Sequence, residues 1–88
     1  MSDSLWDIDY TPGARRDLRR LDPQVRTRVV TAIERLGSND PRADVRRLQG
    51  GDEHRLRAGD WRVRFKRDAA SHRIVVQRVL PRGRAYNR

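Results

Sequence analysis

His54-Arg55-Leu56-Arg57-Ala58-Gly59-Asp60-Trp61-Arg62-Val63-Arg64-Phe65-Lys66-Arg67-Asp68 is the stretch that decides the fold. Side chains of a strand point alternately to opposite faces, so a period of two in this stretch assigns each residue to a side. Trp61, Val63 and Phe65 fall on one side, and Arg62, Arg64 and Lys66 on the other. In the preceding segment Leu56 stands against Arg55 and Arg57. Ala58-Gly59-Asp60 separates the two runs at hairpin spacing. Asp68-Ala69-Ala70-Ser71-His72 then leads into a third strand-like run, Arg73 to Leu80, which Pro81 and Gly83 end.

Upstream, the period changes. Leu5 to Tyr10 alternates, with Trp6, Ile8 and Tyr10 opposed to Asp7 and Asp9, and reads as a half-buried strand. Thr11-Pro12 is an N-cap followed by proline at the first helical position, and Ala14, Leu18 and Leu21 give a short helix its stripe. Asp22-Pro23 repeats the signal. Val25, Val29, Ile33 and Leu36 line a second helix from about Pro23 to Leu36, with Gly37 at the left-handed C′ position. Ser38 to Gly51 reads as a polar connection in which Val45 and Leu48 anchor one helical turn. The expected architecture is therefore α+β. A helical hairpin covers one face of a mainly antiparallel four-stranded sheet, in a single domain over residues 1–88.

The helices bury the apolar side, so Arg55, Arg57, Arg62, Arg64 and Lys66 share the uncovered face. Like charges opposite one another on neighbouring strands cost free energy. Five of them with no nearby carboxylate imply an anionic partner, the alternative being an ordinary solvated face. The charge distribution points the same way. Residues 1–52 hold ten Lys/Arg against nine Asp/Glu, whereas residues 53–88 hold eleven against three, within a net charge of +9.

Composition removes several classes of function. With no cysteine and only His54 and His72, disulfides and cysteine-based metal sites are excluded, and no metal or cofactor is expected. No apolar run approaches the roughly 20 residues of a membrane span. Met1-Ser2-Asp3-Ser4 is acidic, and no apolar signal core follows it, so a cytoplasmic location is expected. Trp6, Trp61 and Phe65 read as core, His54 as a packed or capping residue at the start of its strand, and His72 as a solvated loop residue.

Leu48-Gln49-Gly50-Gly51, then His54-Arg55-Leu56-Arg57-Ala58-Gly59-Asp60-Trp61-Arg62-Val63, then Arg82-Gly83-Arg84-Ala85-Tyr86, together resemble the signature of the RelE/ParE toxin superfamily. The predicted order strand–helix–helix–strand–strand–strand agrees with that resemblance, which covers nearly the whole chain. It implies a toxin held inactive by a cognate acidic antitoxin, in a complex able to bind operator DNA. RelE-like members are implied to cut mRNA in the ribosome. ParE-like members are implied to poison DNA gyrase without cutting nucleic acid, and a plain nucleic-acid-binding module is a third reading. Carried over on the RelE-like pattern, the catalytic positions are Arg55, Arg57, Arg62, Arg82 and Tyr86. In the best-known enzyme the first two are lysines.

Metal-free RNA cleavage needs a base for the 2′-OH, cations for the phosphorane and an acid for the 5′-oxygen. Arginine suits the second task because its fork matches phosphate oxygens, but with a pKa above about 12 it is a poor proton acceptor. Tyr86 is the better base, since surrounding arginines favour phenolate; its other role would be to stack on a base. Arg64, Lys66 and Arg84 are the expected further RNA contacts, and Lys66 could also act as a base.

Overall fold

The computed structural model describes residues 5–48 and 53–82. The elements are β1 (Asp7–Tyr10), α1 (Pro12–Arg19), α2 (Pro23–Gly37), β2 (Asp44–Arg47), β3 (Glu53–Ala58), β4 (Trp61–Asp68) and β5 (Arg73–Pro81). The strands form one sheet in the order β1-β5-β4-β3-β2. Among the described residues only the β1–β5 pair is parallel. The expected α+β architecture is present, with one strand more than the four read from the sequence. That strand is β2, in the connection where Val45 and Leu48 were expected to form a helical turn. Val45 instead lies opposite Leu56 of β3, packed against the core. The short Asp44-Val45-Arg46-Arg47 segment becomes a strand because β3 offers it an edge to pair with.

Both helices start as their sequences dictate. The Thr11 hydroxyl accepts from Ala14 N–H at 3.1 Å and Asp22 accepts from Gln24 N–H at 3.2 Å, each followed by proline. Such caps stabilise by about 0.5–2 kcal/mol each. Arg26 of α2 then locks the hairpin. Its Nε donates to Leu18 O at 2.9 Å, and its Nη2 donates to the carbonyls of Arg19 and Leu21, tying α2 to the end of α1 and the turn that follows it. The end of α2 differs from expectation: the helix includes Gly37, and the left-handed residue is Asn39, φ 57°. Asparagine tolerates that region because its short amide can bond locally. Gly37 is buried, and its carbonyl receives Trp6 N–H.

Ala14, Leu21, Val29, Ile33 and Leu36 of the helical hairpin meet Leu56, Val63, Phe65, Ile74, Val76 and Val79 of the sheet. Gly59 occupies the first position of the two-residue β3–β4 turn at φ +62°, a conformation that disfavours any side chain. Two pairs of rings stack beside the core. His72 lies on Trp6 at 4.4 Å and 8°, and His54 on Phe65 at 5.3 Å and 19°. The Arg67 guanidinium stands within 5.4 Å of the Trp6 ring and 5.8 Å of the Phe65 ring. His54 is thus packed as expected. His72 is exposed but not merely solvated, because its Nδ1 also donates to Leu5 O at 2.8 Å.

Candidate functional site: an arginine row across the open sheet face

Strand register builds the site. Arg46 of β2 stands opposite Arg55 of β3, Arg55 opposite Arg64 of β4, and Arg64 opposite Arg78 of β5. Four arginines therefore cross four strands in one row, at about 4.8 Å per strand. A second row runs beside it: Asp44, Arg57, Arg62 and Leu80. Asp44, Arg46, Arg55, Arg57 and Arg62 line a cleft of about 320 Å³, with four guanidinium groups against one carboxylate among the described residues. Such a concentration of cations on a single face attracts a phosphate-bearing polyanion.

The sequence-predicted residues are not equivalent. Arg55 and Arg57 line the cleft, and Arg57 is exposed. Arg62 also lines it but is only 3% exposed, not open as expected. Its Nη1 donates to Gly59 O at 3.0 Å and Trp61 O at 3.1 Å, so the guanidinium is fastened to the β3–β4 turn. Arg82 N–H donates to Asp60 O at 2.9 Å, which brings the start of the C-terminal segment to that same turn. Lys66 is exposed but stands apart from the cleft, opposite Glu53 and Val75. Arg84 and Tyr86 lie outside the described residues.

The expectation that the basic face has no nearby carboxylate is corrected. Arg64 Nη2 donates to Glu53 Oε1 at 2.6 Å, a diagonal pair across β3 and β4, and Asp44 sits opposite Arg57. Two members of the site, Arg46 and Arg78, were not among the residues singled out from sequence. Arg46 lay in the segment read as a connection. Arg78 was hidden by a β-bulge: Arg64 faces Arg78 but Phe65 faces Val76, leaving Gln77 as the extra residue of β5. The adjacent Val75-Val76 pair obscured the parity that would have revealed it.

Arg78 is held from outside the sheet. β1 pairs with β5 only as far as Val76, and α1 takes over the edge beyond. Thr11 N–H donates to Val76 O, the Thr11 hydroxyl donates to Gln77 O at 2.8 Å, and Val79 N–H donates to Asp17 Oδ2 at 2.9 Å. Arg78 grips the same Asp17 through Nε at 2.7 Å and Nη2 at 3.2 Å. Burial alone would raise the Asp17 pKa, but the hydrogen bonds from Arg78 and Val79, with the charges of Arg78 and Arg20, outweigh it and hold the carboxyl below its ordinary value. A lowered folded-state pKa contributes stability that is fully present above the ordinary carboxylate pKa and is lost as pH falls through the lowered one. Asp17→Ala should therefore cost about 1.5–3 kcal/mol at pH 7 in urea unfolding, the worth of hydrogen bonds to a charged group. The gap to wild type should narrow as pH drops below about 4; a gap independent of pH would show that the carboxylate charge is not what stabilises the edge.

The protein is thus a small α+β domain with a helical hairpin on one sheet face and a row of arginines on the other. The chain belongs to the ParE toxin family of type II toxin–antitoxin systems, in the RelE/ParE superfamily: the family model described as "ParE toxin of type II toxin-antitoxin system, parDE" matches residues 8–86. Among solved structures it is similar to the toxin of the archaeal RelE–RelB complex from Pyrococcus horikoshii OT3. Identity there is 26% and the TM-score 0.77, over 96% of this chain and 99% of that one. It is also similar to the toxin of the RelBE2 complex from Mycobacterium tuberculosis, at 26% identity and TM-score 0.73, over 88% of this chain and 91% of that one. The isolated RelE toxin of E. coli shares the fold at 22% identity and TM-score 0.67, over 86% and 83%. A search of curated proteins finds no match. Among the described residues no helix is long and apolar enough to cross a membrane.

Proposed function

We propose that this toxin is a metal-independent endoribonuclease that cleaves ribosome-bound mRNA by attack of a 2′-OH on the neighbouring phosphate. The observation that carries the reading is the cleft of four arginines and one carboxylate on the open sheet face. The likeness to two RelE toxins over most of the chain supports the same branch. Arg55 and Arg57 hold the phosphate and stabilise the phosphorane, because planar forks pair with two oxygens at once. Arg62, fastened to the turn, is a preorganised cation that needs no reorientation as charge develops. By the family resemblance, Arg82 and Tyr86 supply the remaining groups, Tyr86 as base or as a stacking platform. Arg64, Lys66 and Arg84 contact RNA further along the strand. No cofactor is required, and cleavage should persist in excess EDTA.

The partner that restrains the toxin is a cognate acidic antitoxin, and the solved relatives are toxin–antitoxin complexes. An acidic chain that folds on the basic surface should bind less tightly as salt rises, because exposed charges are screened. Copurification at low and high salt checks this; a complex insensitive to salt would make the interface apolar instead. The second reading, a ParE-like gyrase inhibitor, is favoured by the family model itself. Incubating the toxin with programmed ribosomes and, in parallel, with gyrase separates the two. Cut mRNA supports the ribonuclease, whereas intact mRNA with blocked supercoiling supports the inhibitor.

A further inference from the structure

Beyond the phosphate cleft, the arginine row enters a second cleft of about 340 Å³, lined by Glu53, Arg64, Gln77 and Arg78. That volume is at the low end of the roughly 300–1,000 Å³ of ligand pockets. Its chemistry differs from that of the first. Arg64 is neutralised by Glu53 and Arg78 by Asp17, so the two guanidinium groups are fixed in direction and compensated in charge. A phosphate therefore gains little here compared with the first cleft, where four arginines face one carboxylate. What the second cleft offers is planar guanidinium surfaces and a neutral amide. Those are the groups that stack on and read an unstacked RNA base.

Gln77 is placed for the reading. As the extra residue of the β5 bulge it is excused from the strand alternation, and bulges re-aim side chains beside functional sites. Its carbonyl is tied to the Thr11 hydroxyl, which fixes the backbone. Gln77 lines the cleft, and its side-chain amide has no hydrogen-bond partner among the described residues. An amide has an acceptor and donors side by side, matching the N6/N7 edge of adenine.

We propose that this second cleft receives one unstacked base of the RNA, and that Gln77 makes adenine the preferred occupant. The proposal rests on the ribonuclease reading for its place in cleavage but not for binding. The test uses uniform A, C, G and U pentamers carrying 2′-O-methyl groups, which block the nucleophile. Their affinity is measured by fluorescence anisotropy for the full chain and for Gln77→Ala, Gln77→Glu and Arg57→Ala. Wild type should bind the A pentamer about tenfold or more tighter than the U pentamer, as one bidentate base contact provides. Gln77→Ala should abolish the preference. Gln77→Glu, nearly the same shape but acceptor-only, should move it toward cytosine, whose N4 group donates. Arg57→Ala should weaken all four pentamers by the same factor. Equal affinities in the wild type, or a preference that survives both Gln77 variants, would overturn the subsite. Base-selective binding without mRNA cleavage would overturn the ribonuclease reading and keep the subsite. Cleavage whose sites are indifferent to Gln77 would do the reverse.

Discussion

Arg57→Ala should lower single-turnover cleavage of mRNA on programmed ribosomes by about 10²–10³-fold, the usual cost of removing one preorganised electrostatic donor. Ribosome binding should fall far less, because only contacts stronger in the transition state accelerate the chemistry. The fold should not suffer. Arg57 is exposed, faces Arg62 across the β3–β4 ladder, and adds to the like-charge repulsion of the cleft. Its removal should leave thermal stability unchanged or slightly raised. Arg57→Lys should recover part of the rate, since it restores the charge without the fork. Rate loss with intact melting behaviour would place Arg57 in the chemistry. A loss of stability in step with the loss of rate would reduce its role to scaffolding. The comparison is cleaner at Arg57 than at Arg62, whose guanidinium also ties the β3–β4 turn, so that Arg62→Ala mixes lost catalysis with lost structure.

The largest effect on stability should come from Phe65→Ala, at about 3–5 kcal/mol in urea unfolding. Phe65 is fully buried, stacks on His54 and forms one wall of the Arg67 site. Its truncation removes apolar burial, opens a cavity and strips one of the two rings beside the Arg67 guanidinium. Small domains fold by about 5–15 kcal/mol in total, so much of this one would unfold near physiological temperature. Phe65→Leu should cost less because it keeps most of the volume. If Phe65→Ala unfolded within about 1 kcal/mol of wild type, the end of the core at Trp6, Phe65 and His72 would be collapsing to fill the space. Cleavage by the surviving folded fraction should be normal, since Phe65 lies on the side of the sheet opposite the arginine row.

Local chemistry is legible from one stretch of chain at a time, and most of this fold is local. Thr11-Pro12 and Asp22-Pro23 start helices wherever they stand, because the cap and the missing proline N–H act within one turn. Gly59 admits the left-handed residue of the β3–β4 hairpin, and alternation along β3 and β4 assigns Leu56, Val63 and Phe65 to the core and Arg55, Arg57 and Arg64 to the open face. That alternation alone places Arg55, Arg57, Arg62, Arg64 and Lys66 on one side of β3 and β4. The pairings that remained depend on distant partners. β2 is a strand only because β3 supplies an edge, and β1 runs parallel to β5, more than sixty residues away, because the helical hairpin returns the chain across the sheet. The bulge at Gln77 turns Arg78 into line with Arg46, Arg55 and Arg64, and Glu53 reaches Arg64 diagonally across two strands. Arg62 obeys the alternation yet is closed off from solvent, because what covers a side chain depends on its neighbours in space. The sequence by itself determined which residues are cationic and which face of a strand they take. The tertiary structure decided which of them stand in one row, which are compensated and which are buried, since register and cross-strand neighbours form only when the strands are brought together.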